Sequence, residues 1–188
     1  MERIVSIARS KATDTFIVHP MGTFRGYGGF VGINPYRELP KEVSPEIVGE
    51  TVIDLLTQSG STGFHIKNIE VYRADTADEE TVRIREQFFA NIKSSAAAAR
   101  RFVTAEVSTT DRKKSWTVIK FEYDPKRKTL TPSMEKQVLI AKGAGALGLT
   151  LIDLLVDKKE REKGEEKTRK GVRLGLLEKS SGTVHRND

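Results

Sequence analysis

The sequence predicts an α+β fold: two strand-strand-helix units around one core, an antiparallel sheet with helices packed on it, and a charged C-terminal tail. Three observations predict it. Apolar and polar residues alternate along Phe102–Ser108 and Trp116–Tyr123, the period of half-buried strands. Apolar residues recur at helical spacing after Ser44. The run Gly49-Glu50-Thr51-Val52-Ile53-Asp54-Leu55-Leu56 reappears as Gly148-Leu149-Thr150-Leu151-Ile152-Asp153-Leu154-Leu155, with six of eight positions identical. Two readings of that echo stay open. It is a coincidence between two amphipathic helices, or a pseudo-repeat in which each helix follows its own pair of strands.

The elements follow in order. Thr15-Phe16-Ile17-Val18-His19 is an apolar run that reads as a strand ended by Pro20, and the residues before it read as mixed. Glycines at 22, 26, 28, 29 and 32, with Phe24, Tyr27 and Phe30 among them, make a turn that returns into a strand through Phe30-Val31-Gly32-Ile33. Pro35, Pro40 and Pro45 punctuate an extended connection. Ser44 is a good N-cap, Pro45 suits the first helical position, and Glu46 complements the helix dipole. Ile47, Val48, Val52, Ile53, Leu55 and Leu56 continue that helix until Gly60 and Gly63 stop it. A second helix is expected from Asp78 or Glu79 to about Lys93, burying Val82, Phe88, Phe89 and Ile92. Ala96 to Ala99 either prolongs it or forms a short helix after Ser94-Ser95. Strands follow at Phe102–Ser108 and Trp116–Tyr123, joined by a polar turn and ended by Asp124-Pro125. The last core helix is expected around Leu147 to Asp157.

A chain of 188 residues fits one medium domain plus a tail, here 1–157 and 158–188. After Lys158 it is polar apart from Val172, Leu174, Leu176 and Leu177, and Ser180 to Asp188 has the composition of a disordered end. No run approaches the length that crosses a bilayer, and the first residues lack the pattern of an export signal. The chain has no cysteine. That excludes disulfides, thiolate zinc sites and a cysteine nucleophile, and it suits the cytoplasm. The formal net charge is +6 and the mean hydropathy is -0.42. A basic chain invites a nucleic-acid reading. However, the basic runs Arg112-Lys113-Lys114 and Lys126-Arg127-Lys128 are short, and the tail alternates its cations with Glu160, Glu162, Glu165 and Glu166. Mixed signs are the mark of a solvated, ion-paired surface.

The run Gly28-Gly29-Phe30-Val31-Gly32-Ile33-Asn34-Pro35, then Glu38-Leu39-Pro40, then Ser44-Pro45-Glu46-Ile47-Val48-Gly49-Glu50-Thr51-Val52 resembles the N-terminal half of a bacterial family. This is the family of cytoplasmic immunity proteins from contact-dependent growth inhibition systems. The strand Trp116–Tyr123 and the helix Leu147–Leu155 are similar to its second half. The resemblance implies a non-enzymatic protein that binds and blocks a toxin domain, often a nuclease, delivered by a neighbouring cell. It carries over no catalytic or contact residue. One departure matters: many nuclease inhibitors are acidic, whereas this chain is basic. The resemblance therefore implies either a locally acidic face, for example around Asp78, Glu79 and Glu80, or a partner that is itself acidic there.

Other motifs carry competing readings. Gly143-Ala144-Gly145-Ala146-Leu147-Gly148 is a literal G-x-G-x-x-G that follows Val138-Leu139-Ile140-Ala141 and opens a helix, the context of a dinucleotide fingerprint. Too little chain follows to complete such a domain, so entry into a packed helix is the preferred reading. His19 and His65 are candidates for an acid/base pair if the fold brings them together, and His185 lies in the tail; none has metal spacing. Trp116, Phe121 and Tyr123 near Lys120 and Lys126-Arg127-Lys128 suit base stacking, or simply core packing. Asp54 and Asp153 sit at equivalent helical places and most simply face solvent.

The preferred reading is a protein-binding module with a toxin domain as partner and no catalytic residue, cofactor or metal. Candidate anchors are Arg25, Tyr27, Tyr36 and Arg37, large side chains in the glycine- and proline-rich segment, because interface energy concentrates on aromatic and Arg side chains. A nucleic-acid-binding protein is the alternative, and a nucleotide-dependent enzyme built on Gly143 to Gly148 is the third reading. The oligomeric state is left open.

Overall fold

The structure, a computed structural model, describes residues 2–90, 92–110, 115–141 and 143–156. The tail from Lys158, His185 within it, and Arg112-Lys113-Lys114 lie outside the described residues. One sheet organises the unit Met1–Leu155. Its strands are β1 (Glu2–Ser10), β2 (Phe16–Arg25), β3 (Phe30–Gly32), β6 (Phe102–Thr110), β7 (Ser115–Asp124) and β8 (Thr129–Ala141), in the order β3-β2-β1-β6-β7-β8. Two further strands, β4 (Arg37–Leu39) and β5 (Gly60–His65), also pair with β2, and only β5 does so in parallel. Helices α1 (Pro45–Gln58) and α5 (Ala144–Leu155) pack on each other and on the sheet. The expected α+β class is the class observed.

The central strand was the least legible. Glu2–Ser10 interleaves Arg3, Ser6 and Arg9 with Ile4, Val5, Ile7 and Ala8, which hides its period. It lies between β2 and β6 and is buried on both faces. Buried Arg9 is acceptable there because it is paired: it bridges to Asp14 and donates to the Leu155 carbonyl at 3.4 Å, at the end of α5. Pro20 does not end β2 as expected. The strand runs through it, because β4 pairs with Phe16–Val18 and β3 with Met21–Thr23. Pro20 falls in the gap between these partners, where its missing N–H costs nothing, and its carbonyl accepts from Ile33 N at 2.9 Å.

The echoed helices make a reciprocal contact. A Cβ on Gly49 would stand 1.9 Å from the Ala144 carbonyl oxygen, and one on Gly148 would stand 1.7 Å from that of Pro45. Gly49 and Gly148 are equivalent in the echo, as are Pro45 and Ala144. Both helices bury matching residues, Val48 with Leu147, Val52 with Leu151 and Leu56 with Leu155. Both also make the same back-bond, Thr51 to the Ile47 carbonyl at 2.8 Å and Thr150 to the Ala146 carbonyl at 2.9 Å.

The separation of the two glycines (148 − 49 = 99 positions) carries β2 onto β7, the start of β3 onto that of β8, and β1 onto β6 to within one residue. At the centre Ser6 faces Glu106 and Ile7 faces Ala105, a pairing the same shift maps onto itself. An approximate two-fold axis therefore passes between β1 and β6, and the two strand-strand-helix units lie on either side. The outer hairpins differ in register: Ile7 faces Val18, but Glu106 faces Ile119 rather than Thr117. A slip of two keeps each side chain on its own face of the sheet.

Between the units the chain forms β5, a 3₁₀ turn at Ile66–Asn68, α2 (Ile69–Thr76), α3 (Glu79–Ile84) and α4 (Ser95–Arg101). The helix expected to reach Lys93 instead passes from α3 into a π-helical turn, Arg85–Phe89. Thr81, Ile84 and Phe88 share the buried face at ordinary helical spacing, and Val82, one position off it, is 42% exposed. Ser94 caps α4 by accepting from Ala97 N at 3.2 Å, so the alanine run is a helix of its own. Ser44 accepts from Ile47 N at 3.4 Å, as its N-cap position predicts.

Substituting Gly49→Ala or Gly148→Ala drives a methyl into backbone, which cannot move aside as a side chain can. Each is expected to cost roughly 3 kcal/mol or more, read as a fall in the urea midpoint. Gly28, with open space around its Cβ position, serves as control, and Gly28→Ala should stay within about 0.5 kcal/mol. An unchanged midpoint in Gly148→Ala would contradict this packing.

Candidate functional site

Arg25 and Tyr27 lie where β2 ends, in a turn closed by Tyr27 N donating to the Phe24 carbonyl at 3.2 Å. Gly26 there has a φ of +77°, a conformation that favours glycine, and a Cβ on it would stand 2.7 Å from His65 Nε2. Parallel β5 brings Phe64 and His65 to the same end, with His65 opposite Arg25. From there aromatic rings step inward: Phe64 to Tyr72 at 5.2 Å and Tyr72 to Phe24 at 5.4 Å, both edge-on. The inner ring is buried and the outer one is 40% exposed. Tyr27, 51% exposed, follows the exposed Arg25 in the same turn, and Val71, 56% exposed, precedes Tyr72 on α2. Anchoring exposed rings on a buried one limits the rotamer freedom lost when a partner covers them.

Tyr36 and Arg37 have other positions. Tyr36 is a core residue, stacked on His19 at 4.5 Å and edge-on to Phe89 at 5.6 Å; the expectation that it stands on an exposed loop is corrected. Its backbone N–H donates to Thr81 Oγ1 at 2.9 Å, which fastens α3 beneath it. Arg37 donates to Asp78 at 2.8 Å and Glu80 at 3.3 Å, and Arg83 reaches Glu38 at 2.8 Å. These pairs tie α3 to β4. Asp78 also caps α3, accepting from Thr81 N at 2.7 Å, and the bonding with Thr81 and then Arg37 holds its carboxyl down at about 2. Of the acidic group Asp78, Glu79 and Glu80, the first and third thus share one cation, Arg37, within the fold.

The histidines do not meet. His19 pairs with Ser6 near the middle of β2, and His65 is level with Arg25 at its end, about 20 Å along the strand. His65 Nδ1 accepts from Lys67 N at 3.2 Å and caps the turn that follows. His19 sits between Gly32 and Tyr36, and burial lowers its pKa from 6.5 to about 4. Among the described residues no group of three or more metal-ligating side chains converges. Trp116 is buried in the sheet.

The G-x-G-x-x-G segment is helix packing. Gly148 receives the Pro45 carbonyl, and the Glu46 carboxylate stands beside Gly145. Two helix N-termini come together here, and Glu46 supplies the negative charge their dipoles favour; a pyrophosphate would meet that carboxylate.

The sequence places no element at residues 60–77 and does not single out Phe64, Val71, Tyr72 or Arg73. The spacing of Ile66, Ile69 and Tyr72 was the available signal for a helix there. Which rings remain exposed has no sequence signal.

The fold is shared with known structures. A protein of unknown function from Neisseria meningitidis matches with a TM-score of 0.55 at 13% identity, over 80% of this chain and 92% of that one. A chain of the CdiA-CT/CdiI toxin and immunity complex from Yersinia pseudotuberculosis matches with a TM-score of 0.55 at 14% identity, over 82% of this chain and 96% of that one. No family model and no curated protein sequence matches the chain. Among the described residues no helix is long and apolar enough to cross a membrane.

Neutral His19 makes stability depend on pH in a defined sense. The unfolded chain takes up a proton at His19 from pH 6.5 downward and the folded chain only near 4. Stability is therefore complete above pH 6.5 and falls toward pH 4, by at most about 1.4 kcal/mol per pH unit. Glu106, raised by burial and then by Glu2, acts in the opposite sense, so the comparison must be with a variant. His19→Phe should flatten the slope of unfolding free energy between pH 6.5 and 4.5 in urea titrations; an unchanged slope would contradict the burial of a neutral imidazole.

Proposed function

We propose that this chain is a cytoplasmic immunity protein that binds the C-terminal toxin domain of a contact-dependent growth inhibition effector and neutralises it. The toxin is taken to be a nuclease, as the sequence resemblance implies. The observation that carries the reading is the fold shared, over most of both chains, with a chain of a toxin and immunity complex. That complex contains two kinds of chain, and two features favour the immunity side. The two candidate histidines are held apart along β2, and large side chains that suit protein contact, Tyr27, Phe64 and Val71, stand exposed. Arg25 and Tyr27 are retained as partner contacts, joined by Phe64 and Val71. Tyr36 and Arg37 fasten α3 instead, through Thr81, Asp78 and Glu80.

The test is co-expression with the toxin domain encoded beside this chain. Growth should be rescued, and the purified proteins should form a stable complex. Phe64→Ala and Tyr27→Ala are each expected to weaken it about tenfold or more; Tyr27→Ala should leave the thermal unfolding temperature of the free chain unchanged, while Phe64→Ala also loses its packing on Tyr72. Growth arrest caused by this chain alone would contradict the immunity assignment.

A further inference from the structure

A second feature near α2 has none of Tyr27, Phe64, Val71 and Tyr72 in its lining. The π-helical turn Arg85–Phe89 and the end of α2 border an open groove of about 620 Å³, within the range of sites that hold a ligand group. Tyr36 and Phe89 line it, Arg73 and Arg85 enter it from opposite elements, and Glu86 is the only carboxylate in its lining. Arg73 pairs with Glu70 at 2.9 Å, a highly exposed side chain on its own helix and therefore a weak competitor. Arg85 has no carboxylate partner among the described residues. Burial raises the Tyr36 hydroxyl, and the charges of Arg73 and Arg85 both oppose that rise, so both cations act on the same floor.

A guanidinium held against aromatic and aliphatic carbon is partly stripped of water, which strengthens a charge-assisted bond to an anion. Arg85 lines the groove together with Tyr36, Phe89 and Ile92, and its guanidinium has no hydrogen-bond partner among the described residues. The groove therefore carries one positive charge in search of a partner, with a second close by.

We propose that the Arg73–Arg85 groove is a recognition pocket for a carboxylate side chain on the partner protein, inserted across the floor made by Tyr36 and Phe89. The inference rests on the immunity reading and specifies the chemistry of the partner. A carboxylate fits better than a nucleic-acid backbone. Glu86 and Glu70 would repel a chain of phosphates, yet each cation can still accept a single carboxylate. It also accounts for how a basic chain can be an inhibitor: here it supplies the cations and the toxin supplies the acid.

The experiment measures the affinity of the full chain for the adjacent toxin domain by titration calorimetry. Arg85→Ala should weaken binding about tenfold and the double variant Arg73→Ala/Arg85→Ala about a hundredfold, whereas Arg85→Lys should lie between wild type and Arg85→Ala. Thermal unfolding of the free variants should match wild type, since both side chains reach into the groove rather than the core. The loss in Arg85→Glu should be recovered by reversing one Asp or Glu of the toxin to Arg. Tight binding by wild type with undiminished affinity in the double variant overturns the pocket but leaves the immunity reading standing. Absence of any wild-type complex overturns both. If wild type binds a single-stranded RNA and the double variant loses that affinity instead, the groove is a phosphate site and the carboxylate assignment is wrong.

Discussion

The structure depends on one steric fact: two helices meet so closely that neither can carry a side chain at the crossing. Gly49 and Gly148 each receive a carbonyl of the other helix. Such an approach brings together two helix N-termini, whose partial positive charges repel, and Glu46 sits between them to offset this. The close crossing lets Val48, Val52 and Leu56 on one side and Leu147, Leu151 and Leu155 on the other all reach the core. Each buried aliphatic side chain contributes on the order of 1.5–3 kcal/mol. The two-fold arrangement of sheet and helices follows, because one contact geometry serves both halves.

That arrangement explains which features could be read from the sequence. α1 was legible from Ser44, Pro45 and its apolar spacing because all of those signals are local. The strands β6 and β7 were legible because each alternates along its length. The echo could be seen as a string of letters, but its meaning lay in a contact between residues far apart in the chain. β1 was hidden because a central strand buried on both faces has no need to alternate, and its Arg9 is satisfied by Asp14 and Leu155. Pro20 misled because the rule against proline in a sheet applies to the edge that must donate, and β2 changes partners there. The helix after Asp78 begins where expected, and Phe88 is buried with Phe89 and Ile92 packed against the same cluster; only Val82 turns outward.

The symmetric scaffold does not itself carry the candidate surface. Phe64, Val71, Tyr72, Arg73 and Arg85 all belong to the segment that joins the two units, which has no counterpart among the described residues of the second unit. Of the anchors chosen from sequence, Arg25 and Tyr27 border this segment, whereas Tyr36 and Arg37 hold it in place through Thr81, Asp78 and Glu80. The reason for the partial success is physical. Glycine-rich composition marks where loops are, but whether a tyrosine points out or in depends on what packs over it. Here α3 covers Tyr36 and nothing among the described residues covers Tyr27. A two-fold core that holds the connecting segment in place suits the proposed role of complementing a second surface.

In the proposed role, a rigid two-fold core presents this connecting segment to a protein partner. Hydrogen exchange read by mass spectrometry, with and without the toxin domain, tests it most directly. The account predicts slowed exchange in β5, α2 and the turn through Arg85–Phe89, with β1, β6, α1 and α5 unchanged because they open only with the whole unit. Protection confined to the β7–β8 turn at Lys126-Arg127-Lys128, with no change between residues 60 and 90, would contradict it.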